Sequence, residues 1–207
     1  MINYYKRERQ QITSGGLIFY FGTMKGGKST HLLQKAYELT TNGFNIIVVK
    51  PKIDEKGGDR VTSRLKISRK ADYLIEKDLY KELDEHFNLE TIDAILIDEV
   101  QFLSEENIDD LMTIKCKYHI PIECYGLKVD FTGHLFEGSR RLLEIADYVE
   151  EITTMCQCGN KATFNIRIID GEVVFEGDTV VIDNDEKKVE YKGVCSDCFW
   201  KLKNKIK

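Results

Sequence analysis

The sequence predicts an α/β fold: a mainly parallel sheet flanked by helices, followed by a small β-rich appendage. Three observations lead there. Apolar runs such as Ile46-Ile47-Val48-Val49 and Ala94-Ile95-Leu96-Ile97 read as strands buried on both faces. Stretches with apolar residues at helical spacing alternate with these runs, which implies βαβ units and right-handed crossovers. After about residue 151 the pattern changes to short strands, turns and two close cysteine pairs.

Taken in order, residues 1–14 are polar and mixed in charge, and read as a flexible arm. Residues 17–21 (LIFYF) form a first strand. Residues 29–41 carry Leu32, Leu33, Ala36 and Leu39 at helical spacing, and Asn42-Gly43 is a C-cap signal. Residues 45–50 form a second strand, bounded by Pro51. A helix is expected over 75–89 and a third strand over 92–98. Ser104 caps a helix running to about Cys116, residues 121–126 form a fourth strand, and 139–147 form a helix. Residues 163–192 read as strands, with turns at Asp170-Gly171 and Glu176-Gly177. This divides the chain into an arm (1–14), an α/β domain (15–152) and a β-rich C-terminal module with its tail (153–207).

Composition bounds the function. The 207 residues are 42% hydrophobic and 31% charged, a globular balance that excludes disorder as the dominant state. No apolar run approaches the roughly 20 residues that a bilayer span needs. The N-terminus lacks an apolar signal region, so a cytoplasmic chain with reduced thiols and no membrane partner is expected. A net charge of −5 argues against a dedicated nucleic-acid binder.

Gly22-Thr23-Met24-Lys25-Gly26-Gly27-Lys28-Ser29 fits G-x-x-x-x-G-K-[ST] in full, between an expected strand and an expected helix. Its glycines let the backbone wrap phosphate oxygens, and the helix N-terminus adds positive charge. Lys28 would reach the β- and γ-phosphates, and the Ser29 hydroxyl would bind Mg²⁺. Ile95-Leu96-Ile97-Asp98-Glu99 is an apolar strand ending in two acids, at the strand end where ligands bind in open α/β sheets. Asp98 would share the Mg²⁺ with Ser29, and Glu99 could take a proton from an attacking hydroxyl or orient a water. Together these make the fold a P-loop NTPase of RecA-like type and the chemistry phosphoryl transfer from a nucleoside triphosphate. They leave the acceptor open, either water or a small-molecule alcohol.

Cys156-Gln-Cys158 and Cys195-Ser-Asp-Cys198 lie about 36 residues apart and could supply four thiolates to a structural zinc. A redox disulfide and inert thiols are the alternatives. Cys116 and Cys124 read as buried apolar residues.

Several segments resemble the type II thymidine kinases, in order, from about residue 15 to about 200. GTMKGGKSTHLLQKAYE resembles that family's first motif, including Met24 and Thr30. Asp98-Glu99-Val100-Gln101-Phe102 resembles its D-E-x-Q-F signature, and Gly126-Leu127, Asp130-Phe131 and Phe136 its thymine-pocket segment. Residues 143–149 resemble the helix and strand that follow. Cys156-x-Cys158-Gly159, Ala162-Thr163, Arg167 and Tyr191-x-x-x-Cys195-x-x-Cys198 resemble its zinc module.

The resemblance implies an ATP:thymidine 5′-phosphotransferase with Glu99 as general base and deoxyuridine as a further acceptor. It implies ATP contacts from residues 22–30 (Gly22, Thr23, Met24, Lys25, Gly26, Gly27, Lys28, Ser29, Thr30), Asp98 and Gln101. Met24, Gln101, Phe102, Leu127, Phe131, Phe136, Arg167, Val180, Ile182 and Tyr191 would meet the nucleoside. Part of that contact would come from a backbone lasso within about 178–192. It further implies a structural zinc on Cys156, Cys158, Cys195 and Cys198 in a small β-rich lasso domain, a homotetramer, and feedback inhibition by thymidine triphosphate. The chain departs from the family pattern at Gly26, at Lys128, and at Ile182-Asp183-Asn184, where Ile-Gly-Gly is usual. A competing reading is a P-loop ATPase with a zinc ribbon, acting on nucleic acid or a protein partner.

Overall fold

The computed structural model describes residues 15–52, 58–177 and 188–204. Its centre is a six-stranded sheet built from β1 (Leu17–Phe21), β2 (Ile46–Pro51), β5 (Tyr73–Ile75), β6 (Ala94–Ile97), β7 (Ile122–Gly126) and β8 (Tyr148–Glu151). The strand order is β5-β2-β6-β7-β1-β8, and every pairing is parallel. Parallel strands need crossovers, and helices supply them on both faces. On one face α1 (Lys28–Thr41) lays Leu32, Leu33, Ala36 and Leu39 on Ile46, Val48, Leu96 and Tyr125. On the other, α2 (Leu79–His86), α3 (Glu105–Tyr118) and α4 (Glu137–Ile145) bury Leu83, Leu111 and Leu142 with Phe19, Val49 and Ile97.

Local signals set most helix ends. Gly43 takes φ +81 just past α1, as the Asn42-Gly43 signal requires. The Ser104 side chain accepts from Asn107 N at 3.3 Å, capping α3. Glu105 and Glu106 begin that helix and Lys115 and Lys117 end it, which suits its dipole.

Two helix expectations change. The helix expected over 75–89 is instead the end of β5, then α2, then a 3₁₀ turn at Leu89–Thr91. Asp78 caps α2, and the Glu82 carboxylate accepts from the backbone N–H groups of residues 76, 77 and 78, so the helix cannot begin earlier. The helix expected over 139–147 begins at Glu137 and stops at Ile145. Asp147 lies outside it because its carboxylate accepts from Leu17 N at 2.7 Å and pairs with Lys115 at 2.9 Å. An antiparallel hairpin, β3 (Arg60–Thr62) with β4 (Ser68–Lys70), is a feature the sequence reading passed over.

Beyond β8 the chain builds the C-terminal module. A knuckle pairs β9 (Thr154–Met155) with β10 (Lys161–Ala162). A three-stranded antiparallel sheet follows, in the order β12 (Glu172–Val174), β11 (Phe164–Ile169), β13 (Val189–Val194), with α5 (Ser196–Asn204) across it. The Asp170-Gly171 turn joins β11 to β12 with φ +50 and +90, the two positive values a tight hairpin asks for. Phe199 of α5 is 1% exposed and stacks on Phe164 at 4.5 Å. Among the described residues no helix is long and apolar enough to cross a membrane.

Candidate active site

The phosphate-loop residues 22–27 join β1 to α1, so α1 aims its N-terminus into the loop. Close packing explains the glycines: a Cβ on Gly22 would sit 2.6 Å from Ile152 O, and one on Gly26 2.9 Å from Thr23 O. Lys25 and Gly27 turn the loop with φ +68 and +89. Lys28 Nζ donates to Thr23 O at 3.0 Å and to Gly22 O at 3.4 Å, which holds the ammonium across the loop mouth. Burial lowers the Lys28 pKa, while Glu99 and Asp98 counter that shift.

Asp98 and Glu99 follow β6 directly. Asp98 is 4% exposed, and its Oδ1 has no hydrogen-bond partner among the described residues. Burial and the neighbouring Glu99 push its carboxyl up to about 7, against the pull of Lys28 and Lys50. A buried carboxylate oxygen left over in this way fits a hydrated Mg²⁺, the ligand expected at that position. Glu99 takes φ +52, a strained value for a non-glycine residue, at the position expected to act as base.

Gln101 lies differently from the contact expected of it. It is 2% exposed; its Nε2 donates to Glu99 Oε2 at 2.6 Å and its Oε1 accepts from Leu127 N at 3.0 Å. The amide therefore orients Glu99 and ties it to the strand end at Leu127. Buried Ser139 holds the other side of that residue, donating to Leu127 O at 2.6 Å.

An open cleft of about 610 Å³ runs along these groups, a size suited to a small ligand. Its walls are residues 24–31 and Gln34, residues 62–65 of the hairpin, Glu99, Leu127 and Ile152. The cleft thus joins Met24, Lys25, Gly26, Gly27, Lys28, Ser29, Thr30, Glu99 and Leu127 of the expected site. Gly22 and Thr23 are buried behind the loop.

Of the expected nucleoside contacts, Phe102 and Phe136 meet edge to face with centroids 5.8 Å apart. Phe131 is 2% exposed, and the Arg167 guanidinium stacks on it at 3.6 Å. Arg167 is itself 1% exposed and donates from Nη2 to Glu176 O at 2.6 Å. It therefore clamps the strand end that leads into residue 178. Tyr191 pairs with Arg167 across β11 and β13. Val180, Ile182 and most of the expected lasso lie outside the described residues.

The four cysteines converge. The Sγ atoms of Cys156, Cys158, Cys195 and Cys198 all lie within 4.8 Å of one another, and Cys158 Sγ is 3.5 Å from Cys195 Sγ. That exceeds a disulfide's ~2.05 Å and is close to the ~3.8 Å between sulfurs around a tetrahedral Zn²⁺ with ~2.3 Å bonds. Backbone N–H groups of Cys158 and Cys195 lower the Cys156 thiol to about 6, while the neighbouring sulfurs push Cys198 up to about 12. Four sulfur donors so close, in two pairs from opposite ends of the module, fit a metal such as zinc. Cys124 is buried as expected, whereas Cys116 is exposed, on the outer face of α3, with its Sγ 3.8 Å from Met112 Sδ. The expectation of burial fails there because helical spacing turns that position outward.

A family model described as thymidine kinase matches residues 15–199. The chain belongs to the thymidine kinase family. It is 41% identical over 193 residues to a thymidine kinase of Mannheimia succiniciproducens, covering 92% of this chain and 97% of that one. It is 42% identical over 182 residues to one of Haemophilus influenzae, covering 86% and 93%. A thymidine kinase of Francisella tularensis is 36% identical over 190 residues, covering 89% and 96%. Among solved structures, the replication initiator DnaA bound to AMPPCP and single-stranded DNA aligns at a TM-score of 0.43 and 20% identity, over 72% of this chain and 44% of that one. A likeness that slight supports no inference about function.

Asn165 is a site residue the sequence reading missed in this family member, as are His31, Gln34, residues 62–65 and Ile152 of the cleft wall. Asn165 is 3% exposed on β11, and its side chain accepts from Met24 N at 2.7 Å and donates to Val129 O at 3.2 Å. A polar amide in the strand FNIRII, where asparagine is disfavoured, was the available signal.

Proposed function

We propose that the protein transfers the γ-phosphate of ATP to the 5′-hydroxyl of thymidine, with deoxyuridine as a second acceptor, making thymidine monophosphate for nucleotide salvage. The observation that carries this reading is one cleft flanked by Lys28, the loop backbone and a Glu99 whose carboxylate is held by Gln101. With Oε2 engaged, Oε1 is the oxygen left to accept the proton of a 5′-hydroxyl. As the 5′-oxygen bonds to the γ-phosphorus, the bond to the β–γ bridging oxygen breaks and ADP leaves. Lys28, the loop N–H groups and the α1 N-terminus meet the negative charge throughout.

Ser29 and Asp98 are the residues that would hold Mg²⁺, which when bound supplies positive charge to the β- and γ-phosphate oxygens. Met24, Phe102, Leu127, Phe131 and Phe136 would enclose the base beneath a lasso carrying Val180, Ile182 and Tyr191, with Arg167 anchoring it. Zinc on the four cysteines would be structural, with no open position for chemistry. The homotetramer and inhibition by thymidine triphosphate belong to the same proposal and derive from the resemblance, while the division at residue 152 and a cytoplasmic site of action belong to it on the change of sequence pattern and the apolar-poor N-terminus.

The test is to incubate the pure protein with Mg-ATP and each nucleoside, following ADP and nucleoside monophosphate. Thymidine-dependent ADP formation is expected. ATP hydrolysis indifferent to nucleoside would overturn the reading in favour of a P-loop ATPase.

A further inference from the structure

The phosphate loop does not stand on the α/β domain alone. The backbone from Thr23 to Met24 is one planar peptide unit, and both of its polar groups are in use. Its carbonyl, Thr23 O, accepts from Lys28 Nζ at 3.0 Å and from Gly26 N at 3.1 Å. Its N–H, on Met24, donates to Asn165 Oδ1 at 2.7 Å across 141 residues of sequence. The two groups point in opposite directions from the same plane, so whatever fixes the N–H also fixes the carbonyl that holds Lys28.

The clamp itself is rigid. Asn165 is 3% exposed, and its amide nitrogen donates to Val129 O at 3.2 Å, so neither end of the side chain can swing without breaking a buried bond. Its neighbour across the sheet is Gly193. A Cβ on Gly193 would lie 2.6 Å from Thr23 Oγ1 and 3.0 Å from Thr23 Cβ, so the glycine lets the loop press onto β13. Cys195 follows two residues later and belongs to the four-cysteine cluster. Asn165 and Gly193 together make a seat for Thr23 and Met24 on the sheet of the C-terminal module.

We propose that Asn165 is a positioning residue for phosphoryl transfer: by holding the Thr23–Met24 peptide plane it presents Thr23 O to Lys28 and keeps the lysine aimed at the triphosphate. Asn165 is not a catalytic residue, since it acts through the loop. The proposal rests on the reading that residues 22–29 bind the triphosphate of ATP.

One variant removes both ends of the amide: Asn165→Leu breaks both bonds at similar volume. MgATP and thymidine affinities are measured by calorimetry, with thermal unfolding as a check on folding. Asn165→Leu is expected to weaken MgATP by about 3- to 10-fold, the worth of one net hydrogen bond. An Asn165→Leu variant that folds and binds MgATP within twofold of the wild type, or a loss confined to thymidine, would overturn the proposal.

Should Asn165→Leu not fold, amide hydrogen exchange in the ligand-free wild type decides instead. The Met24 N–H should be among the protected amides of the loop, and fast exchange there overturns the proposal. A wild type that fails to bind MgATP at all would count against the proposed function, and the Met24 exchange result would still stand on its own.

Discussion

Replacing Gln101 by leucine tests the geometry of Glu99 without touching the carboxylate itself. The change removes a 2.6 Å bond from Nε2 to the Glu99 carboxylate and leaves Leu127 N, paired at 3.0 Å, without its acceptor. A hydrogen bond to a charged group is worth about 1.5–3 kcal/mol. If that energy serves to hold Glu99 for proton transfer, kcat falls by about 10- to 150-fold. The orphaned, buried Leu127 N–H costs about 1–3 kcal/mol of stability, or roughly 2–12 °C in Tm for a chain of this size. Steady-state kinetics with both substrates, and thermal unfolding in parallel, give the two numbers separately. KM for ATP should stay within about threefold, since the amide of Gln101 is spent inside the protein. The decisive measurement is the cycle with Glu99→Gln. Once the base is gone, Gln101→Leu should lower kcat little further, because both changes remove one function. A fully additive loss, or a single variant within twofold of the wild type, would refute the idea that Gln101 works through Glu99.

Glu99→Gln alone should retain ATP binding while turnover falls by about 10²–10⁴-fold, and unchanged turnover would remove Glu99 as the base. Asp98 gives a pH signature in the metal-free protein. Its carboxyl is held at about 7 in the fold, well above its unfolded value, so the native state binds the extra proton. Stability should therefore fall as pH rises from about 4 through 7, and Asp98→Asn should flatten that slope and raise Tm at pH 8. An unchanged slope by denaturant titration would show that Asp98 is not the group responsible. Metal analysis should find one zinc per chain, lost together with Cys195→Ser; a value far below one rejects the four-sulfur site. Chelation of the wild type should lower Tm and raise proteolytic cleavage around residues 154–162, where two of the ligands close a knuckle held by only two strand pairs. A chelated protein that resists cleavage as well as the holo form would argue against a metal-held knuckle.

Much of the site was legible because its residue types are dictated by local chemistry. A loop of this shape takes glycine where a Cβ would strike backbone, as at Gly22, or where φ is positive, as at Gly27, and those two glycines stand in the sequence at the motif's fixed spacing. Asp98 and Glu99 were legible for a related reason: an apolar strand that ends in acids announces a strand end facing a polar ligand. Capping residues such as Ser104 worked likewise, since cap and helix are neighbours in the chain. The misread helix over 75–89 failed because a charged stretch with scattered apolar residues fits a strand end and two short helical turns as well as one helix. Cys116 was misread because a cysteine's burial depends on which way its helix faces.

By itself, then, the sequence determined the alternating α/β order, the phosphate loop, the two acids after β6 and the two cysteine pairs, all features written within a few consecutive residues. Tertiary structure alone decided how these parts hold one another. The four sulfurs meet only because β9, β10, β13 and α5 converge. Gln101 faces Glu99 and Leu127 rather than the cleft because β6 and β7 lie side by side, and Arg167 is buried against Phe131 by the same kind of packing. The bond from Met24 to Asn165 spans 141 residues and has no local trace beyond one polar residue in an apolar strand. Contacts of that range arise from the packing of whole elements, and spacing within a single element carries no information about them.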